Sequence, residues 1–249
     1  MTSPKNLLHI FLFIVLGCLL NCKPKKETGN KSSVTDGVEK TYNPTGELFS
    51  EVTMKDGKRN GMARDYFKNG KVFTEVNYKE DKRDGTFKQY YDDGTISKEI
   101  DYKDDLQDGW SKKYRKDGTK AWQARFTKDM PCSDLTEYYL NGARKTEYPR
   151  IVIEPIDELR ELGDYTLKIS MSDKTNTVTF YEGKLTSEGC FDRNKVHEIF
   201  PRQNGFCKLH FHLAPGGFLM EEISIIAVVK TQQGNSYITT RSYNLAINN

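Results

Sequence analysis

The chain has 249 residues, of which 29% are charged and 36% apolar, and its formal net charge is +3 at pH 7. That length supports more than one hydrophobic core, and an aromatic content of 12%, mostly Tyr and Phe, argues against disorder and leans toward strands. Residues 42–137 carry 19 Lys+Arg against 19 Asp+Glu, a balance that speaks against nucleic acid as a partner, for which a basic stripe is expected.

The N-terminus reads as an export signal. Lys5 precedes Leu7–Leu20, a run apolar except for His9 and shorter than the roughly 20 residues a permanent bilayer span needs. Leu19-Leu20-Asn21-Cys22 resembles a bacterial lipobox, which implies that the Cys22 thiol receives diacylglycerol before cleavage. Asn21 departs from the small residue usual before that Cys. Val15-Leu16-Gly17-Cys18 is a rival with a better residue there, although it would leave Leu19-Leu20 at the mature N-terminus. An ordinary signal peptide cut near Asn21, or an uncleaved anchor, is the plain alternative. Lys23 stands where an Asp commonly retains lipoproteins at the inner membrane, which leans toward the outer one. Residues 1–22 are therefore expected to be the signal, and the polar stretch 23–40 a flexible tether that cannot bury enough to offset its ordering entropy.

A repeat follows. Tyr42, Tyr66, Tyr90, Tyr114 and Tyr138 recur at a step of 24, and Gly46, Gly70, Gly94, Gly118 and Gly142 keep that step four residues later. A second series, Gly61, Gly85 and Gly109, ends at Ser133. Tetrads such as Lys68-Asn69-Gly70-Lys71 and Asp92-Asp93-Gly94-Thr95 predict tight turns with Gly at positive φ. A second reverse turn is expected over Asp104–Gly109. Between turns the pattern alternates with period two. The columns Val52/Val76/Ile100/Ala124 and Met54/Tyr78/Tyr102/Phe126 define an apolar face, and Glu51, Glu75 and Glu99 a charged face suited to recognition. The apolar columns need covering, by curling of the sheet, by the C-terminal part or by a partner. In the fourth unit Trp122 and Met130-Pro131-Cys132-Ser133 break the pattern, as at a cap or a domain junction.

The pattern Tyr-x-x-Asn/Asp-Gly, followed by Asp/Asn-Gly and an aromatic or small residue, resembles the variant MORN repeat of bacterial proteins of the YwqK-type, antitoxin-like kind. The resemblance covers about residues 42–148. It implies a meander of β-hairpins acting as a protein-interaction or membrane-proximal surface, and it carries no activity. A signal sequence fits poorly with neutralising a cytoplasmic toxin.

The period stops at Tyr148-Pro149. Residues 149–249 predict a β-sandwich of immunoglobulin-like kind from strands over Tyr165–Met171, Thr177–Glu182, Lys208–Leu213, Ile223–Thr231 and Tyr237–Ala246. Only Asp157–Leu162 reads as helix. Cys190 and Cys207 flank a loop with Pro201 and Gly205, and a disulfide there would contribute roughly 3 kcal/mol in an exported domain. Two buried thiols are the alternative, and Cys132 is left over. His210 and His212 point to one face of a strand without a third ligand at a suitable spacing, so a polar face is expected and no metal. The acidic pairs Asp92-Asp93 and Asp104-Asp105 lack calcium-loop spacing. No nucleophile elbow, phosphate loop or paired catalytic acids occurs.

The expectation is an all-β chain: a meander of 24-residue MORN-like hairpins over 41–148, followed by the sandwich. It is a non-enzymatic envelope lipoprotein without cofactor, anchored through its N-terminal lipid, with an unidentified protein partner. Inhibition of a partner protein in antitoxin fashion is the alternative.

Overall fold

A computed structural model describes residues 35–200 and 204–249, and residues 34–249 gather into one compact unit. The stretch expected as a signal, the candidate lipidation residues Cys22 and Cys18, and most of the stretch expected as a tether lie outside the described residues.

The expected all-β architecture is what the chain adopts. The array strands are β1 (Gly37–Tyr42), β2 (Leu48–Lys55), β3 (Lys58–Tyr66), β4 (Val72–Lys79), β5 (Lys82–Arg83), β6 (Gly85–Tyr90), β7 (Ile96–Lys103), β8 (Leu106–Tyr114) and β9 (Lys120–Thr127). Two short strands, β10 (Met130–Pro131) and β11 (Thr136–Glu137), finish it. They form one antiparallel sheet in the order β1-β2-β3-β4-β6-β7-β8-β9-β10, with β5 on β4 and β11 on β9. The array begins earlier than expected, since β1 takes in residues assigned to the tether.

Two kinds of turn alternate. Between β3 and β4, Gly70 N–H donates to the Phe67 carbonyl and Phe67 N–H to that of Lys71, while Gly70 stands at φ +78°. The turn thus spans Phe67–Gly70, one residue earlier than the expected tetrad, with Gly in the left-handed position that a three-residue hairpin loop requires. The second kind is a two-residue loop with both residues at positive φ: Asp56-Gly57, Glu80-Asp81, Asp104-Asp105 and Lys128-Asp129. These are the primed turns whose twist suits a hairpin, and Asp tolerates the left-handed region better than most side chains. The turn expected over Asp104–Gly109 is therefore shorter, and Leu106–Gly109 already belongs to β8.

The sandwich has a three-stranded and a four-stranded sheet. The first holds β12 (Ile151–Glu158), β13 (Asp164–Met171) and β16 (Phe206–His212), in the order β12-β13-β16. The second holds β14 (Val178–Glu182), β15 (His197–Glu198), β17 (Phe218–Lys230) and β18 (Ser236–Asn248), in the order β15-β14-β17-β18. Alternate residues of both sheets meet in the main core, including Leu167, Ile169, Phe180, Ile225 and Leu245. Among the described residues α-helix forms only over Leu159–Leu162, closed by Gly163 at φ +73°, and a 3-10 turn over Arg193–Lys195. The first two residues of the expected helix, Asp157 and Glu158, are the end of β12 instead, paired through Glu158↔Asp164.

Cysteine pairing differs from the expectation. Cys190 bonds to Cys132, across 58 residues, and Cys207 is a buried free thiol. The reason is strand geometry: Cys207 lies on the inner face of β16 opposite Ile169, within the main core. Burial pushes its thiol up to about 12. Cys190 closes a loop that covers the other face of β17 and β18, over Ile226 and Ile238, and so reaches the end of the array.

Candidate interaction surfaces of the repeat array and its junction

Face by face, the register explains why the repeat needs its residues. Pairings Val52↔Ala63, Ala63↔Val76, Phe87↔Ile100, Ile100↔Ser111 and Ser111↔Ala124 put those side chains on one face. Val76 and Ile100 are buried there, and Arg59 and Arg83 lie over the rings of Tyr78 and Tyr102 at 4.2 and 3.9 Å. The apolar columns are thus sheltered by the stems and rings of the same sheet.

The opposite face is a ladder of alternating charge. Glu51, Arg64, Glu75, Lys88, Glu99 and Lys112 stand side by side across successive strands. Each carboxylate is held by the strand that follows it. Tyr66, Tyr90 and Tyr114 donate their hydroxyls to Glu51, Glu75 and Glu99 at 2.7, 2.7 and 2.8 Å. Arg64, Lys88 and Lys112 approach the same three acids at 3.3, 3.8 and 3.6 Å. Glu51 is held below the usual carboxylate range, first by the Tyr66 hydroxyl and then by Arg64 and Lys40, against the opposing effect of burial. Tyr90 and Tyr114 are pushed up to about 12 by burial and by the adjoining carboxylates. The three glutamates are therefore working members of the sheet, with side chains under one-fifth exposed. The bond from each recurring tyrosine to a glutamate is the part of this arrangement that sequence reasoning missed. Its signal was the fixed offset of 15 residues between each Glu and its Tyr.

Two further devices join neighbouring units. Asp81, Asp105 and Asp129, in the primed turns, accept from the backbone N–H of Arg59, Arg83 and Gln107 at 2.9, 3.0 and 2.7 Å. Gly109 (φ +130°) lies against Asp101, where an added Cβ would come within 2.7 Å of the Asp101 Cβ. By contrast Gly46, Gly70, Gly94, Gly118 and Gly142 stand in open space, so only their positive φ calls for glycine.

At its far end the array is fastened to the sandwich. Besides the Cys132–Cys190 bond, Ser133 N–H donates to Gly189 O and Phe191 N–H to Pro131 O, at 3.0 and 2.8 Å. Glu137 is buried, and its Oε1 accepts from Thr231 Oγ1 and Asn235 Nδ2 at 2.7 and 2.8 Å. Tyr148 stacks on Tyr237 at 4.5 Å and its hydroxyl accepts from Glu137 N–H. A cleft of about 380 Å³ opens beside this junction, lined by Glu137, Lys145, Tyr148 and Thr231 among others. The irregular fourth unit is thus a junction, and the Cys in its altered turn was the clue to the disulfide.

Among the described residues no three or more His, Cys, Asp or Glu side chains gather as metal ligands, and no helix is long and apolar enough to cross a membrane. His212 Nδ1 lies 2.7 Å from Asp164 and His210 Nδ1 2.9 Å from the Thr166 hydroxyl.

The architecture defines a β-hairpin repeat protein with a fused sandwich. Residues 35–56, 59–80 and 83–104 each match the family model of the MORN repeat variant, at the 24-residue step already evident. Repeats of this kind are in general non-catalytic modules for binding protein or membrane. Comparison with curated proteins finds no match.

Proposed function

We propose that the chain is a lipid-anchored envelope protein whose array and sandwich form a non-enzymatic platform for a protein partner. Three consecutive variant MORN repeats carry this reading, since such repeats serve binding rather than chemistry. The Cys132–Cys190 disulfide supports export, because disulfides persist in oxidising compartments. The short apolar run ending at Cys22 supports acylation, and Lys23 supports the outer membrane. The antitoxin-like alternative has only the YwqK-type resemblance behind it, and an exported, disulfide-bonded chain is poorly placed to neutralise a cytoplasmic toxin.

The test is metabolic labelling with a fatty-acid analogue and detergent-phase partitioning, followed by pull-down from envelope extracts. Cys22→Ser is expected to abolish label and leave the protein in the aqueous phase, whereas Cys18→Ser keeps both. Label lost only in Cys18→Ser moves the lipid to that residue. Label retained in both variants ends the lipoprotein reading.

A further inference from the structure

We propose that the outer edge of β1, unpaired among the described residues, is a docking site for an extended, glutamate-bearing segment of a partner protein, which adds as one more strand and sets its carboxylate on Lys40 and Tyr42. β1 opens the sheet and pairs only with β2, so its outer N–H and C=O groups face no strand among the described residues. Such an edge is a template for strand addition, in which main-chain bonds give affinity and side-chain positions give specificity.

The repeat itself states that specificity. Every interior unit sets a cation and a tyrosine on the carboxylate of the strand before it: Arg64 and Tyr66 on Glu51, Lys88 and Tyr90 on Glu75, Lys112 and Tyr114 on Glu99. Lys40 and Tyr42 are the first cation and tyrosine of the series. They have no earlier carboxylate within the described sheet. Both are exposed, Tyr42 at 57%, and Lys40 has Glu51 opposite it on its inner side only. An incoming antiparallel strand in the array's register would bring the residue paired with Lys40 to the place that Glu51 occupies against Arg64. A Glu there completes the ladder, and the residue two positions on would pair with Val38, as Thr53 does on its other side. The array's own strands therefore define the ligand: an extended segment with one Glu aligned on Lys40.

This inference rests on the protein-binding reading above, and its failure is separable from a failure of that reading. The probe is a fluorescent peptide with the sequence of Leu48–Lys55, titrated by anisotropy against the full chain in detergent micelles. Binding is expected, and a peptide with Gln for its Glu should bind on the order of tenfold more weakly, the worth of one hydrogen bond to a charged group. Tyr42→Phe should weaken binding several-fold without moving the melting temperature, because that side chain is exposed, and Lys40→Gln should weaken it several-fold with at most a small shift, since Lys40 also faces Glu51. Equal affinity for the Glu and Gln peptides, indifference to both variants, or no binding at all overturns the proposal. Glu27 lies 24 residues before Glu51 in the sequence, so Glu27→Gln is a further arm. Peptide binding that appears only in that variant overturns the partner in favour of the chain's own segment. A peptide that merely dissociates a homodimer in sedimentation overturns it in favour of a second copy. If an envelope partner is captured equally well by wild type and Tyr42→Phe/Lys40→Gln, protein binding stands and this site falls.

Discussion

Glu75→Lys tests whether the charged face is a fastening or a free surface. Glu75 accepts from the Tyr90 hydroxyl at 2.7 Å and lies 3.4 Å from Arg64 and 3.8 Å from Lys88. A hydrogen bond to a charged acceptor contributes about 1.5–3 kcal/mol, and each partly exposed ion pair adds at most about 1 kcal/mol. The substitution removes all three and sets a third cation between Arg64 and Lys88, so a loss of about 3 kcal/mol is expected. For a folded unit of this size that lowers the melting temperature by roughly 6–12 °C. Glu75→Gln keeps an acceptor for Tyr90 and should cost about 1 kcal/mol. Thermal melts followed by circular dichroism on both variants decide the point. If Glu75→Lys melts within about 2 °C of wild type, the tyrosine–glutamate ladder contributes little, and the face is free for recognition.

Cys132→Ala opens a loop closed across 58 residues, for which chain entropy predicts a loss of about 4 kcal/mol; non-reducing peptide mapping should find Cys132 joined to Cys190, and a Cys190–Cys207 peptide would contradict the fold. In the native protein Cys207 should resist thiol reagents until denaturant is added, since it is buried with a pKa of about 12. Gly109→Ala should destabilise more than Gly94→Asn in urea titrations: the first drives a Cβ against Asp101, whereas the second meets open space and a φ of +97° that Asn tolerates. Tyr90 and Tyr114 titrate near 12 when folded against an ordinary value of 10.0. The stability they contribute is complete below pH 10 and declines as the pH rises from about 10 to about 12. Urea midpoints should fall across that window, and Tyr90→Phe should flatten the fall; an unchanged slope would remove the linkage.

Much of the array was legible because its signals are local and recur. A Gly that must take positive φ, an alternating face and a fixed step mark hairpins without reference to anything distant. The bonds that tie down Glu51, Glu75 and Glu99 were not legible because polarity along one strand does not show what the next strand brings. An acid beside a tyrosine and a cation is a tied-down acid, and that follows only from register. The cysteines erred for a similar reason. Cys190 and Cys207 are near in sequence, but the pleat turns Cys207 into the main core, while Cys132 arrives from the end of another sheet. In the sandwich, strand β12 was obscured by Pro155 and its charged C-terminal half, where pairing with β13 outweighs composition. Of the candidate binding edge, Tyr42 was visible as a repeat position while Lys40 was assigned to the tether; what they lack became visible only once their counterparts had been seen with partners.

Asp81, Asp105 and Asp129, in three successive primed turns, each accept from the backbone N–H of the residue 22 positions earlier, so these joints between units repeat one period apart. Removing or duplicating one whole period would therefore rejoin like with like, whereas any other insertion would break a joint. At two strands of about 4.8 Å each, the array can change its reach only in increments of about 10 Å. It is in effect a spacer graduated in fixed steps, whose first strand and sandwich end can be set only at one mark or the next.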